Sequence, residues 1–232
     1  MHEITQIRKL SLWIFLIPFI AINLCLIISQ NPEYLNNTIF IVDQIGRSGF
    51  SIPYLDGSLS ISRASRTYPQ YLIFKPSMFL TAALLFFYWK NCNKLVNEFN
   101  NTNINHRFKT FGILSAIFLV IHSLLLGVEF DIKIFKFLRR VVLLAFIVFE
   151  IIAQAILVYH FFKIKNKIEN LIDKKILILK FALVLILSII ALSSLPILID
   201  KGNTHFKHAL EWNYFIGVIL FYLFSRFLWK KI

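Results

Sequence analysis

Six long apolar runs occupy most of the 232-residue chain, and they restrict its possible folds more than any other feature. The runs lie at residues 10–29, 70–89, 110–128, 141–162, 176–198 and 208–229. Each is close to the roughly 20 residues with which an α-helix crosses the hydrocarbon core of a bilayer. Hydrophobic residues make up 58% of the chain, which leaves too little polar surface to cover a water-soluble globule. The sequence therefore predicts an integral membrane protein.

The pattern inside the runs selects the fold class. Only helices and closed barrels satisfy every backbone polar group in lipid, and these runs are continuously apolar, whereas barrel strands alternate. We therefore predict an all-α, polytopic membrane protein in which residues 1–232 form a single integral membrane domain with six transmembrane helices. The first run is interpreted as a retained span, because no small-residue cleavage site follows Ser29.

The connection between the first two runs, residues 30–69, is much longer than the others. Loops of this length in compact proteins are usually functional or disordered. Its apolar stretches at residues 39–42 and 50–55 are unsuited to a solvated tether. We expect this loop to pack over one end of the bundle as a lid.

The distribution of Lys and Arg predicts the orientation. More of them flank the runs on the side of the two termini than on the side of the long loop, although Arg139 and Arg140 oppose this trend. The positive-inside rule then places both termini in the cytoplasm and the long loop outside. The membrane would be that of the Golgi or endoplasmic reticulum in a eukaryote, or the inner or plasma membrane in a bacterium.

The net charge of +13 raises the question of nucleic-acid binding. The basic residues are, however, dispersed in pairs and triplets at the ends of the runs, where they would meet lipid headgroups. We therefore expect membrane lipid as the partner and no nucleic acid.

Polar residues interrupt the runs mainly toward the outer side. A charged group at the centre of a bilayer costs about 3 kcal/mol on insertion scales, so such groups normally face a partner or a cavity. We predict a polar site there, although Lys75 could instead snorkel to headgroups, Glu150 could pair with Lys75, and His122 could make one interhelical hydrogen bond. Lys180, near the inner end of the fifth run, is expected to snorkel. The interrupting residues are Lys75, His122, Glu150, Ser193, Ser194, His208 and Glu211.

Metal and nucleophile signals are weaker. His205, His208 and Glu211 follow one another at three-residue steps, a spacing that could place zinc ligands on one helix face. His205 is expected to precede the helix, however, and no further ligand pair is evident, so we predict no metal and no cofactor. Ser60 and Ser62 could act as nucleophiles beside a histidine, but no Gly-x-Ser-x-Gly elbow occurs.

Four short segments of the chain carry a resemblance to a known family. Residues 54–62 (YLDGSLSIS), residues 68–75 (YPQYLIFK) and an apolar span ending in FYW at 87–89 resemble the first outer loop and second helix of that family. Glu211-Trp212 resembles the acidic-aromatic pair that opens its last helix. The family comprises the FGF-receptor-activating protein, the damage-regulated autophagy modulators and the post-GPI-attachment lipid-remodelling factor, and the last branch is the most similar.

The resemblance implies lipid chemistry on the lumenal or outer leaflet. The remodelling branch is associated with reacylation of a lyso-GPI lipid. By resemblance, this chain would either install an acyl chain on a lipid, as a lipid acyltransferase, or accommodate the acyl chain of a lipid. An outer cavity beneath the loop would bind the lipid through Lys75, His122, Glu150, Ser60 and Ser62. Glu211 could raise the basicity of His208 and make it a general base.

Other functional classes remain open. A non-catalytic membrane adaptor would use the same cavity to bind lipid or a partner helix. A transporter is disfavoured because Pro18, Pro76 and Pro196 do not fall into two matching halves. A channel is disfavoured because the polar residues do not continue to the inner side.

Overall fold

The computed structural model describes residues 2–35, 51–100, 102, 104–128, 133–199 and 202–230. Within these ranges the chain forms helices and no strand, so the predicted all-α class is confirmed. The predicted lid lies partly outside this description, because residues 36–50 are not included. The helices are α1 His2–Gln30, α2 Pro53–Asp56, α3 Ile61–Ser65, α4 Gln70–Asn100, α5 Arg107–Leu125, α6 Lys133–Ile164, α7 Lys174–Ile199 and α8 Thr204–Leu228, with a 3₁₀ turn at Pro32–Leu35.

Five helices are long and apolar enough to cross a membrane, which indicates an integral multi-pass membrane protein. These are α1, α4, α5, α6 and α7. Helix α8 has 25 residues but is not among the five, and Glu211, Asn213 and Arg226 interrupt its apolar sequence. The helices also extend past the predicted runs, since α4 continues to Asn100 through a polar sequence.

The six long helices form a closed ring. Helix α1 packs against α4 and α8, and the ring continues from α4 through α5, α6 and α7 back to α8. The N-terminal part of α1 meets the end of α8, where Arg8 Nη1 donates to the carbonyl of Lys230 at 3.4 Å. We call this the terminal end of the bundle, and the opposite end, which carries residues 51–69, the cap end.

Helices α4 and α5 approach closely where Gly112 faces Trp89. A Cβ atom on Gly112 would lie 2.3 Å from Trp89 Cδ2, so the absent side chain makes room for the indole. Trp89 is fully buried and its ring packs near Phe108 and Tyr222. The aromatic side chains thus fill the centre of the ring of helices.

Residues 51–69, which we call the cap segment, form two short helices that pack against α1, α4 and α8. Pro53 occupies the first turn of α2, where its missing N–H costs no hydrogen bond, and Gly57 ends the helix in the left-handed conformation with φ +59°. Ser60 begins α3 as its N-cap and accepts a hydrogen bond from the Arg63 amide at 3.2 Å. These local signals define the shape of the segment.

Candidate functional site at the cap end of α8

Helix α8 holds the cap segment through contacts to its backbone. Three of the four contacting side chains follow one another at spacings of three and four residues, so they lie along one face of the first three turns, and the fourth, Asn213, is adjacent to Trp212 in sequence. The pairs are His205 Nδ1 with Asp56 O at 3.2 Å, His208 Nδ1 with Gly57 O at 3.0 Å, Trp212 Nε1 with Leu59 O at 2.7 Å, and Asn213 Nδ2 with Tyr54 O at 2.7 Å. Because every acceptor is a main-chain carbonyl, the cap segment is positioned by its backbone conformation.

Glu211 supplies the complementary interaction. Its carboxylate accepts backbone hydrogen bonds from Ser62 and Ile61, the first residues of α3. The amides at the start of a helix have no partner within that helix, and a carboxylate there also interacts favourably with the helix dipole. Glu211 and the N-cap Ser60 therefore cap the same short helix.

Gly57 lies where the cap segment approaches α8 most closely. A Cβ atom at this position would lie 1.7 Å from the backbone oxygen of His205, inside any allowed contact distance. The positive φ of Gly57 independently disfavours residues with a side chain. Both the conformation and the close approach therefore require glycine.

Helix α1 contacts the other side of the cap segment. Tyr54 donates its hydroxyl to Asn23 Oδ1 at 3.0 Å, and its ring lies against the Trp212 indole with centroids 4.8 Å apart. Gln30 Nε2 donates to the Ser51 carbonyl at 2.8 Å. The cap segment is thus held between α1 and α8.

The structure brings four predicted site residues together at the cap segment. His208 contacts Gly57, Glu211 contacts the start of α3, and Ser60 and Ser62 lie on α3 with their hydroxyl oxygens 3.3 Å apart. The contacts of His208 and Glu211 go to different parts of the segment. Both catalytic candidates therefore have positioning partners in the cap segment.

The other predicted site residues lie elsewhere on the helices. Lys75 is half-buried, and its Nζ lies 5.5 Å from the centre of the Tyr71 ring. His122 is buried, and its Nδ1 has no hydrogen-bond partner among the described residues. The described contacts do not link either side chain to the cap segment.

Glu150 belongs to a buried cluster between α5, α6 and α8. Its carboxylate accepts hydrogen bonds from Ser115 Oγ at 2.5 Å, from Gln154 Nε2 at 3.0 Å and from the Tyr222 hydroxyl. No ion pair between Glu150 and Lys75 occurs in the described part of the chain, so the pairing considered above is not formed. The cluster instead joins three helices through one acid.

The prediction that Lys180 snorkels to the inner headgroups is wrong. Lys180 is fully buried, and its Nζ donates to Ser225 Oγ at 2.5 Å on the neighbouring α8. The prediction used depth along the helix alone, whereas the helix face that carries Lys180 points into the bundle. The sequence did not identify Ser225 or its second partner, Tyr88, as site residues, because a lone hydroxyl in an apolar run carries little signal.

The start of α8 is a second difference. The sequence placed the sixth run at residue 208 and His205 before the helix, but α8 begins at Thr204 and includes His205. Because α8 begins at Thr204, His205, His208 and Trp212 all lie within the helix, and their spacing indicates one polar face. Within the described ranges, no group of three His, Cys, Asp or Glu residues could hold a metal ion.

Comparisons of the chain with protein-family models, with curated proteins and with solved structures found no match.

Proposed function

We propose that the protein is a six-span membrane protein that binds, and remodels, a lipid from its cap end. Helix α8 would be the sixth span, and its polar residues support this because Glu211 and Asn213 are engaged by the cap segment. With six spans both termini face the same side, in agreement with the meeting of α1 and α8 at the terminal end. The excess of Lys and Arg there favours the cytoplasm, which puts the cap end on the outer or lumenal side.

One observation carries the proposal of lipid remodelling. Two of the segments that resemble the GPI-lipid-remodelling family, residues 54–62 and Glu211-Trp212, are about 150 residues apart in sequence and contact each other directly. Trp212 donates to Leu59 and Glu211 accepts from Ile61 and Ser62. Short motifs that arose from composition alone would have no reason to meet at one place.

The geometry gives His208 a defined chemical role in this proposal. In the tautomer whose Nδ1 carries the proton, Nδ1 donates a hydrogen bond to the Gly57 carbonyl, which orients the ring, and Nε2 is the basic nitrogen of that tautomer. A general base must be held in one orientation toward the hydroxyl from which it takes a proton. His208 would activate a lipid hydroxyl, and Lys75 would contact an anionic headgroup from α4.

A second candidate function is a non-catalytic adaptor that binds lipid or a partner helix. The observation that favours it is that His208 and Glu211 both already hold the cap segment. In an adaptor these residues would serve only to position the cap segment.

His205 offers a matched control that separates the two functions. It lies on the same face of α8 and contacts the neighbouring carbonyl, Asp56 O, with the same ring atom. Purified His205→Ala, His208→Ala and Glu211→Gln proteins in lipid nanodiscs would be given a radiolabelled lysophospholipid and diacyl phospholipid donors. Acylated product and amide exchange of the cap segment would be measured on the same samples.

For a remodelling enzyme we expect the His208→Ala protein to lose turnover by about 100-fold or more. The His205→Ala protein should keep its turnover while its cap segment loosens to a similar degree. Glu211→Gln retains one acceptor oxygen for the start of α3 and should reduce turnover only in proportion to cap loosening. Equal turnover in the His205 and His208 variants would exclude the catalytic assignment and support the adaptor.

A further inference from the structure

A second group of reactive side chains lies between α4, α7 and α8, toward the terminal end. Lys180 Nζ donates to Ser225 Oγ at 2.5 Å, and the Tyr88 hydroxyl lies 3.0 Å from the same oxygen. All three side chains have an exposed fraction of 1% or less. One serine hydroxyl thus contacts an amine and a phenol in a site without water access.

The surroundings of Lys180 are unusual for a buried lysine. No carboxylate lies within ion-pair distance of its Nζ among the described residues, and the Glu150 cluster uses other donors. Its other described neighbours include the buried Cys92 thiol and two aromatic rings, with the Phe221 ring centre at 3.8 Å and the Phe161 ring centre at 5.8 Å. A lysine that only required charge neutralisation would be expected beside an acid.

We propose that Ser225 is a nucleophile activated by Lys180, in a site that takes acyl esters of membrane lipids. A hydroxyl within hydrogen-bond reach of a desolvated amine is one of the recognised arrangements for forming an acyl-enzyme. The Phe221 ring would stabilise the ammonium that forms when Lys180 takes the serine proton. Tyr88 would donate its hydroxyl to the developing oxyanion, which needs a preorganised donor.

The location specifies the substrate class and the route of entry. Helix α7 is the most exposed of the five candidate spans, because 22% of its most apolar stretch is buried inside the bundle, against 39% for each of the others. Ile178 and Phe181 are exposed on the outer side of α7, whereas Lys180 faces the bundle, so an acyl chain would reach the amine by passing α7 from the bilayer. At the terminal end the backbone pairing of Ile172 with Trp229 closes the bundle, and both residues are buried. Exclusion of water favours transfer of the acyl group over its hydrolysis.

The proposed transfer balances without any redox step. The Ser225 hydroxyl donates to the Phe221 carbonyl at 2.9 Å and must turn toward Lys180 before it reacts. Its Oγ then bonds to the carbonyl carbon of the lipid ester while the neutral amine of Lys180 takes the hydroxyl proton. The ester C–O bond then breaks, and the leaving lysolipid oxygen takes that proton from Lys180. A hydroxyl of an acceptor lysolipid attacks the acyl-serine and gives its proton to Lys180, which returns it to Ser225 Oγ as the new ester departs.

This site does not depend on the cap end. Ser225 lies three residues before the end of α8, whereas His205 and His208 lie at its start. Tyr88 and Lys180 lie on α4 and α7. Labelling of Ser225 is read from the adduct itself and not from acylated product, so failure of this test and failure of the turnover test at the cap end can be told apart.

The test is covalent labelling of the full-length protein in lipid nanodiscs with a long-chain alkyl fluorophosphonate. This probe phosphonylates an activated serine oxygen and releases fluoride, and mass spectrometry locates the adduct. We expect an adduct on Ser225 that disappears in Ser225→Ala and forms about 100-fold more slowly in Lys180→Met. Ser123 is the matched control, because it is fully buried and bonds an i−4 carbonyl as Ser225 does, but has no described amine partner. Ser123→Ala should label at the normal rate.

Lys180→Arg separates a chemical role from a structural one. Arginine keeps the positive charge and the donor to Ser225 but does not release a proton in proteins, so it preserves a structural contact and abolishes a base. We expect Lys180→Arg to label as slowly as Lys180→Met while its thermal unfolding stays close to that of the natural sequence. Normal labelling in Lys180→Arg, or no Ser225 adduct under conditions that fully label a reference lipid-embedded serine hydrolase, would overturn the proposal.

Discussion

Replacing Gly57 with Ala should release the cap segment from α8 while leaving the bundle folded. The new Cβ would lie 1.7 Å from the backbone oxygen of His205, so the cap segment must retreat by about 1.5 Å to restore an ordinary carbon–oxygen contact. That retreat takes the contacts of His205 and His208 with the cap carbonyls beyond hydrogen-bonding distance.

The cost can be worked from these contacts. A left-handed residue with a side chain costs roughly 1 kcal/mol, and each of the two lost hydrogen bonds costs about 1 kcal/mol. Local opening should therefore become easier by about 3 kcal/mol, which corresponds to a rise of about 100-fold in opening equilibrium. Hydrogen–deuterium exchange of the protected amides of Gly57 and Ala64 measures this directly.

Gly127 provides the control. It also has a positive φ, of +79°, but among the described residues a Cβ there would meet only the Arg66 oxygen, at 3.1 Å. Gly127→Ala carries the conformational strain with little displacement, and we expect cap exchange to rise less than about tenfold. If Gly57→Ala exchanged like Gly127→Ala, the close approach of Gly57 to α8 would not be what holds the cap segment.

Two further predictions concern single carboxylates. Glu150→Leu leaves the buried Tyr222 hydroxyl without its acceptor and should destabilise the protein by about 1–3 kcal/mol. Adding Tyr222→Phe should recover most of the lost stability. Thermal unfolding of the single and double variants in detergent distinguishes additive from compensating effects. Hydrogen bonds from Ser58 and Ile52 hold the pKa of Asp56 below its ordinary value, so its stabilisation of the cap segment is complete at neutral pH and is lost as the pH falls below about 4. Cap-segment exchange, corrected for the intrinsic rate at each pH, should show this loss, and Asp56→Asn should remove the pH dependence.

The apolar runs predicted the class of protein and the approximate centre of each long helix. They did not predict the helix ends. An apolar run shows only which residues can meet lipid, whereas the backbone hydrogen bonding of a helix continues into the polar sequence beyond the run. Helix α4 extends to Asn100 and α8 starts at Thr204 for this reason. Four residues of the candidate site were likewise identifiable, since Ser60, Ser62, His208 and Glu211 fall in motifs or at unusual positions.

The rest of the site required tertiary structure. Lys180 shows this most clearly, because its depth along α7 is compatible with snorkelling, and only the rotation of the helix turns it toward Ser225. The pairing of Glu150 with Lys75 that the sequence allowed is not formed, because the hydroxyls that satisfy Glu150 come from α5 and α8. Contacts between side chains on different helices leave no periodic signal in one sequence.

The main-chain docking of the cap segment has an evolutionary consequence. Because α8 contacts carbonyl oxygens of residues 54, 56, 57 and 59, the attachment does not depend on the side chain of Leu55, which lies between them. Relatives of this protein should therefore vary at exposed Leu55 and retain Gly57 together with the donor side chains of α8. Such an arrangement allows the exposed surface of the cap segment to diversify while its attachment to α8 stays constant, as in scaffolds whose loops change specificity on an unchanged frame.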